Sequence, residues 1–310
     1  MLIFVLPEAR HIASPLAAAL DVALAPLEDR TFEDGEGKLR PLLSVRGADA
    51  YVVQCLHGDA RHSVHDRLCR LLFLTATLRD HGADRITIIT PYLCYARKDR
   101  RTKSRDPLTL RYVAQLIEAV GCDRLLTLEV HNIMAFQNAF RCQTLHLEMG
   151  AVFTDLVVEH LSDKPLCVMS PDPGGVKRAQ IFREGLEARL DCPVRFAFLD
   201  KRRSAGVRTG GALSGDVAGT RVLIVDDIIS TGGTIRTAAE VSRAHQAADC
   251  IAIAAHGLFT EGSAALFQSP DLSAIYVSDS VATPATAQIS ISAAPALAQA
   301  IRRLAGPSEH

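Results

Sequence analysis

The stretch VLIVDDIISTGGTI, Val222 to Ile235, constrains the fold more than any other part of the chain. Val222 to Val225 form a short apolar run, the pattern of a strand buried on both faces of a parallel sheet. Asp226 and Asp227 are placed at its carboxyl end, and Ser230-Thr231-Gly232-Gly233-Thr234 follows as a small-residue turn into a helix. Backbone N–H groups of such a turn can close around a phosphate at the helix start, where the dipole favours an anion. Adjacent carboxylates suit a sugar diol or a sugar-bound Mg²⁺, so the stretch predicts a site for a phosphorylated sugar. The plainer alternative is a tight strand-to-helix turn at a sheet edge; α/β proteins, however, place ligands at such strand ends.

The remaining chain alternates strand and helix, which predicts an α/β fold with mainly parallel central sheets. Candidate strands are Leu2–Leu6, Tyr51–Cys55, Ile86–Thr90, Leu125–Val130, Leu166–Met169, Val194–Leu199, Val222–Val225, Cys250–Ala255 and Ala274–Val277. Between Pro107 and Val120 the apolar residues Val113, Leu116, Ile117 and Val120 recur at helical spacing, with Asp106 read as N-cap and Gly121 past the end. At 310 residues the chain can bury two cores. Two similar units are expected, 1–146 and 147–310, with the last helix (294–304) able to pack on either.

A hydrophobic content of 48%, 22% charged residues and a formal charge of −1 predict a soluble globular protein without a polyanion-binding surface, hence no nucleic-acid partner. The opening MLIFVLPEAR is too short for a membrane span and reads as a first strand, so a cytoplasmic location without membrane attachment is expected. Eight cysteines with no CxxC pair read as reduced thiols rather than zinc ligands or a disulfide framework.

Chemistry-bearing residues gather at other predicted strand ends. TFEDGEGKLR places Phe32, Asp34 and Glu36 around a turn, by itself an acidic hairpin or loop. PYLCYARKDRR carries Arg97, Lys98, Arg100 and Arg101, either a solvated basic loop or guanidinium groups that grip a polyphosphate. His131 in LEVHN and Asp172 in SPDPGG end two further strands, as candidate metal or phosphate groups or as ordinary surface and helix-entry residues. LDKRRSAGVRTGGALSGDVAG leaves a strand with Lys201, Arg202 and Arg203 and continues as a small-residue loop, read as a mobile lid bearing cations.

In the order FEDGE, PYLCYARKDRR, EVH, SPDPGG, DKRR and VDDIISTGGT, these segments resemble the ribose-phosphate diphosphokinases (PRPP synthetases). The resemblance implies two type I phosphoribosyltransferase-like domains and homo-oligomeric assembly, dimer-based and up to a hexamer, with Mg²⁺ as cofactor. It also implies a transferase of nucleotide biosynthesis that moves the diphosphoryl group of ATP to ribose 5-phosphate, giving PRPP and AMP. By that similarity Phe32, Asp34 and Glu36 reach adenine across a subunit interface, Arg97, Lys98 and His131 bind ATP, and His131 and Asp172 hold the metal. Asp226 and Asp227 hold the ribose hydroxyls and metal, Ser230, Thr231, Gly232, Gly233 and Thr234 the 5-phosphate, and Lys201 and Arg203 stabilise the transition state.

The sequence departs from the family pattern where Glu129 replaces the usual Asp two residues before His131 and where Lys98 replaces Gln. NIMAFQNAF replaces a QIQGFF-like continuation, LHGDARHSVHD replaces a serine-rich segment, and the chain ends AGPSEH in place of the SVSxLF-like end that serves an allosteric ADP and phosphate site. Competing readings are a type I phosphoribosyltransferase, a catalytically silent partner of synthetases, and the same transfer with another acceptor or nucleotide. The first leaves YARKDRR and DKRR unused.

Overall fold

The computed structural model describes residues 1–200, 203–204, 207–208, 212–282 and 289–306. The chain forms two compact units, the first comprising 1–147, 280–282 and 292–310, the second 148–279 and 283–291.

The first unit runs β1 (Leu2–Val5), α1 (Arg10–Leu20), β2 (Leu27–Thr31), β3 (Gly37–Pro41), β4 (Asp49–Val53), α2 (Val64–Asp80), β5 (Arg85–Thr90), α3 (Thr109–Ala119), β6 (Arg124–Leu128), α4 (Ile133–Ala139) and β7 (Gln143–Leu147). Its sheet has the order β1-β4-β5-β6-β7 and is parallel throughout. Strands such as ITII in β5 are apolar at successive positions because helices cover both faces, leaving Ile86, Ile88 and Ile89 fully buried. β2 and β3 form a separate antiparallel hairpin packed on α2.

LHGDARHSVHD supplies the start of α2: Ser63 Oγ accepts from the Asp66 N–H at 3.2 Å and Asp66 Oδ2 accepts from the Ser63 N–H at 2.7 Å, a reciprocal cap. Asp106, in contrast, does not cap α3. The cap position is Leu108, while the Asp106 carboxylate folds the preceding loop by accepting from the Thr102 and Lys103 N–H groups at 3.0 and 2.9 Å. Pro107 accordingly lies outside the helix, and a local turn has captured the predicted cap.

The second unit contains α5 (Gly150–His160), β8 (Leu166–Ser170), α6 (Val176–Leu190), β9 (Arg195–Asp200), the short β10 (Arg203–Ser204) and β11 (Val207–Arg208), β12 (Ala212–Ser214), β13 (Arg221–Ile229), α7 (Gly233–Ala244), β14 (Asp249–Gly257), α8 (Ala264–Phe267), β15 (Ala274–Ser278) and β16 (Ile289–Ile291). The final α9 (Ala294–Ala305) packs on α1 in the first unit, where Arg302 donates to the Ala19 carbonyl.

The large sheet runs β12-β9-β8-β13-β14-β15-β16, parallel except where β12 meets β9. From β8 the chain crosses to β9 on one side, and from β13 it crosses to β14 on the other. The topological switch point therefore lies between β8 and β13, where α/β sheets open a crevice for ligands.

Arg221 anchors the opposite end of β13. Its guanidinium contacts both oxygens of Asp249 at 3.1 Å, the Leu161 carbonyl at 2.9 Å, and Asp163. No helix among the described residues is long and apolar enough to cross a membrane.

Candidate functional site

β13 carries the first group of site residues. The strand does not stop at Val225: it continues to Ile229, so Asp226 and Asp227 lie within it rather than beyond it. β8 pairs with β13 only as far as Met169 opposite Ile224, whereas β14 follows it to Gly257 opposite Ile229. Pairing on one side alone lets β13 overshoot at the switch point and present its acidic pair past the end of β8.

Asp227 is buried and Asp226 half-buried. Burial, then the neighbouring Asp227 carboxyl, push the Asp226 carboxyl well above the usual range. Arg178 on α6 opposes this, its Nη1 lying 3.4 Å from Asp227 Oδ1 and 3.8 Å from Asp226 Oδ1. A pair of hard oxygen ligands held together against its own repulsion fits a divalent cation or a sugar diol.

The turn after β13 is shaped for close approach. Gly232 caps α7 with φ of 77°, and a Cβ there would meet Leu266 Cδ2 at 2.6 Å, so only glycine fits. The first turn of α7, Gly233 onward, follows at once, with its N–H groups at the positive end of the helix. Across the turn, Ser230 Oγ lies 3.0 Å from Thr260 Oγ1, and the Thr260 N–H donates to the Ser230 carbonyl at 3.1 Å. Asp172 ends the neighbouring β8 segment, where its Oδ1 accepts from the Gly174 and Gly175 N–H groups at 3.0 and 3.2 Å and caps a short 3₁₀ turn.

In the first unit, Glu129 follows β6 with φ of 37°, a left-handed backbone that a side chain other than glycine rarely adopts. Val130 donates its N–H to His146 Nε2 at 3.0 Å, and His131 is exposed next to it. Asn132 caps α4 through its Oδ1, and its Nδ2 donates to Asp99 Oδ2 at 2.8 Å. That bond ties the basic segment holding exposed Arg97 and Lys98 to the residue after His131. The first unit thus brings Arg97, Lys98 and His131 into one loop cluster.

Phe32, Asp34 and Glu36 occupy the turn between β2 and β3. Phe32 is 40% exposed with the Arg30 guanidinium 4.8 Å over its ring, and Asp34 Oδ1 accepts from the Glu36 N–H at 3.0 Å. Lys201 lies outside the described residues, as does much of the loop read as a lid. Arg203 begins β10, paired with Arg208 of β11.

Asp99 and Asn132 were absent from the sequence reading: Asp99 stands in a run read for its cations, although Asn before an apolar helix start is a recognisable cap. Thr260 carries no local signal at all. Arg178 follows SPDPGG, one helical turn beyond the glycines, and α6, which carries it, packs on β13.

A parallel sheet with an acidic pair at its switch point and a glycine turn opening the next helix defines a phosphoribosyltransferase-type domain. The family model described as the N-terminal domain of ribose phosphate pyrophosphokinase matches residues 1–121, and that of the phosphoribosyl transferase domain matches residues 144–263. A ribose-phosphate pyrophosphokinase of Caldanaerobacter subterraneus subsp. tengcongensis is 34% identical over 298 residues, covering 94% of this chain and 91% of that protein. The crystal structure of phosphoribosylpyrophosphate synthetase from Mycobacterium smegmatis superposes with a TM-score of 0.89 at 30% identity, covering 98% of each chain. The chain belongs to the ribose-phosphate pyrophosphokinase family and is an enzyme of that family.

Proposed function

We propose that the protein transfers the β,γ-diphosphoryl group of Mg–ATP to the anomeric hydroxyl of ribose 5-phosphate. The anomeric oxygen forms a bond to the β-phosphorus, the bond from that phosphorus to the α–β bridging oxygen breaks, and AMP leaves as PRPP forms. The observation that carries this reading is the Asp226–Asp227 pair overshooting β8, followed at once by the Gly232 turn at the start of α7.

In this reading Asp226 and Asp227 accept the ribose hydroxyls and fix the sugar. Ser230 to Thr234 donate N–H and hydroxyl groups to the 5-phosphate, and Gly232 lets the backbone approach it. Arg178 keeps the acidic pair compact. Arg97, Lys98 and His131 bind the nucleotide phosphates. Lys201 and Arg203 serve the charge that develops during transfer, and removal of Lys201 should lower turnover far more than it weakens ribose 5-phosphate binding.

In the second unit Asp172, Asp226 and Asp227 offer the hard oxygen donors that Mg²⁺–polyphosphate prefers, and a bound cation would neutralise phosphate charge; His131 serves in the nucleotide loop cluster of the first unit. Assembly into a homo-oligomer, with the Phe32–Glu36 turn offered to a neighbouring copy's nucleotide, belongs to the same proposal. Its support is the exposure of Phe32 at the hairpin tip.

Incubation with ribose 5-phosphate, Mg²⁺ and ATP tests it. AMP and PRPP in equal amounts are expected. ADP would indicate a simple kinase, and unconsumed ATP would favour a phosphoribosyltransferase or a silent homologue; either outcome overturns the proposal.

A further inference from the structure

The eight thiols were read from sequence as reduced singles, but two of them meet. β6 and β7 pair in register with Arg124 opposite Gln143, and the Gln143 N–H donates to the Asp123 carbonyl at 3.2 Å. Cys122 and Cys142 lie just before this first rung at the starts of the two adjacent strands, Cys122 Sγ donating to the Arg124 carbonyl at 3.0 Å, and the two thiols are near enough for each to act on the other's titration. Cys167 and Cys250, in contrast, face Val222 from opposite neighbouring strands, two strand spacings or roughly 10 Å apart, too far for a bond. Cys69 and Cys192 are exposed, and Cys55 and Cys94 buried.

We infer that Cys122 and Cys142 form a peroxide-responsive dithiol that closes to a disulfide at the amino-terminal ends of β6 and β7. The two positions are unequal in a way that suits the chemistry. Cys142 is half-buried and reachable from solvent, while Cys122 is only 7% exposed. The neighbouring Cys122 thiol holds Cys142 below its ordinary value, and Cys142, with burial, pushes Cys122 well above. Cys142 is therefore the attacking sulfur and Cys122 the resolving one.

In the first step the Cys142 sulfur bonds to one peroxide oxygen, the O–O bond breaks, and water leaves with the thiol proton, giving a sulfenic acid. The Cys122 sulfur then bonds to the Cys142 sulfur, and the sulfenic hydroxyl leaves as a second water with the Cys122 proton. Two thiols are oxidised and one hydrogen peroxide is reduced. The ring so closed contains β6, Glu129, His131 and α4, the strand-to-helix segment that the donor assignment uses, though the inference stands on the thiol geometry alone.

The test treats the full-length protein, freed of reductant, with near-stoichiometric hydrogen peroxide, followed by thiol blocking and non-reducing peptide mapping by mass spectrometry. A peptide linking Cys122 to Cys142 and lost on treatment with dithiothreitol is expected to be the main product. In Cys122→Ser, Cys142 should instead be trapped as a sulfenic acid by dimedone. Oxidation confined to Cys69 and Cys192, or Cys142 oxidised in the unsubstituted protein without a link to Cys122, overturns the inference. The mapping of the unsubstituted protein decides the matter even where the variant does not fold.

Discussion

Ser230 and Thr260 are joined side chain to side chain at 3.0 Å, across the turn that follows β13 and the segment that follows β14. The Thr260 N–H to Ser230 carbonyl bond survives any side-chain change, so Thr260→Val removes the hydroxyl contact while leaving the backbone brace. One neutral hydrogen bond contributes roughly 0.5–1.5 kcal/mol, so an up to about tenfold rise in the KM for ribose 5-phosphate is expected. The turnover number should change less, and Thr260→Ser should restore binding. Steady-state kinetics with ribose 5-phosphate varied check this; an unchanged KM in Thr260→Val would remove Thr260 from the phosphate turn.

Gly232 faces a different constraint. Alanine there must take a left-handed backbone and push against Leu266, whose Cβ lies 2.8 Å from the position of the added Cβ. Backbone strain of about 1–2 kcal/mol and overpacking of a further 1–3 kcal/mol predict clear destabilisation. Thermal unfolding of Gly232→Ala should show a midpoint lower by several degrees. Leu266→Ala in the same chain should return part of that loss, because it removes the obstructing side chain but not the strain.

How far the sequence is legible follows from where each signal lives. Val222 to Val225 announce a buried strand because both faces are covered, and the register shows them at the centre of the sheet. The continuation through Asp226 and Asp227 is hidden, since two acids resemble a strand end; pairing with β14, where Asp226 lies opposite Ala254, keeps them extended. Local propensity likewise favoured Asp106 as a helix cap, but Thr102 and Lys103 took its carboxylate. The Ser230–Thr260 and Asn132–Asp99 contacts join distant segments and depend on the assembled sheet. Cys122 and Cys142 sit twenty residues apart, and only the register of β6 and β7 makes them neighbours.

Glu129 holds a left-handed conformation for which Asp and Asn are better suited. Glu129→Asp should therefore be at least as stable as the unsubstituted protein, with a gain of no more than about 1 kcal/mol. Glu129→Gly relieves the same strain but removes the carboxylate. If this position serves a cation on the donor side, the Mg²⁺ concentration for half-maximal activity rises several-fold in Glu129→Gly and much less in Glu129→Asp. We expect that separation; superimposable Mg²⁺ titrations of the two variants would assign Glu129 a backbone role only.

His57 provides the pH dependence. It is 6% exposed, with Arg67 Nη1 at 2.9 Å from its Nε2, and burial first, then the Arg67 cation and His11, lower its pKa from 6.5 to about 3, with Asp59 opposing. In the unfolded chain the imidazole takes a proton near 6.5, while the folded protein leaves it neutral until about 3. Between those values the unfolded state binds more protons, so this contribution to stability is complete above 6.5 and is lost as the pH falls through that window. The loss attributable to His57 between neutral pH and pH 5 is about 2 kcal/mol. Urea unfolding at both pH values should show that extra loss in the unsubstituted protein and not in His57→Gln; equal losses in the two would mean that His57 is charged in the folded state.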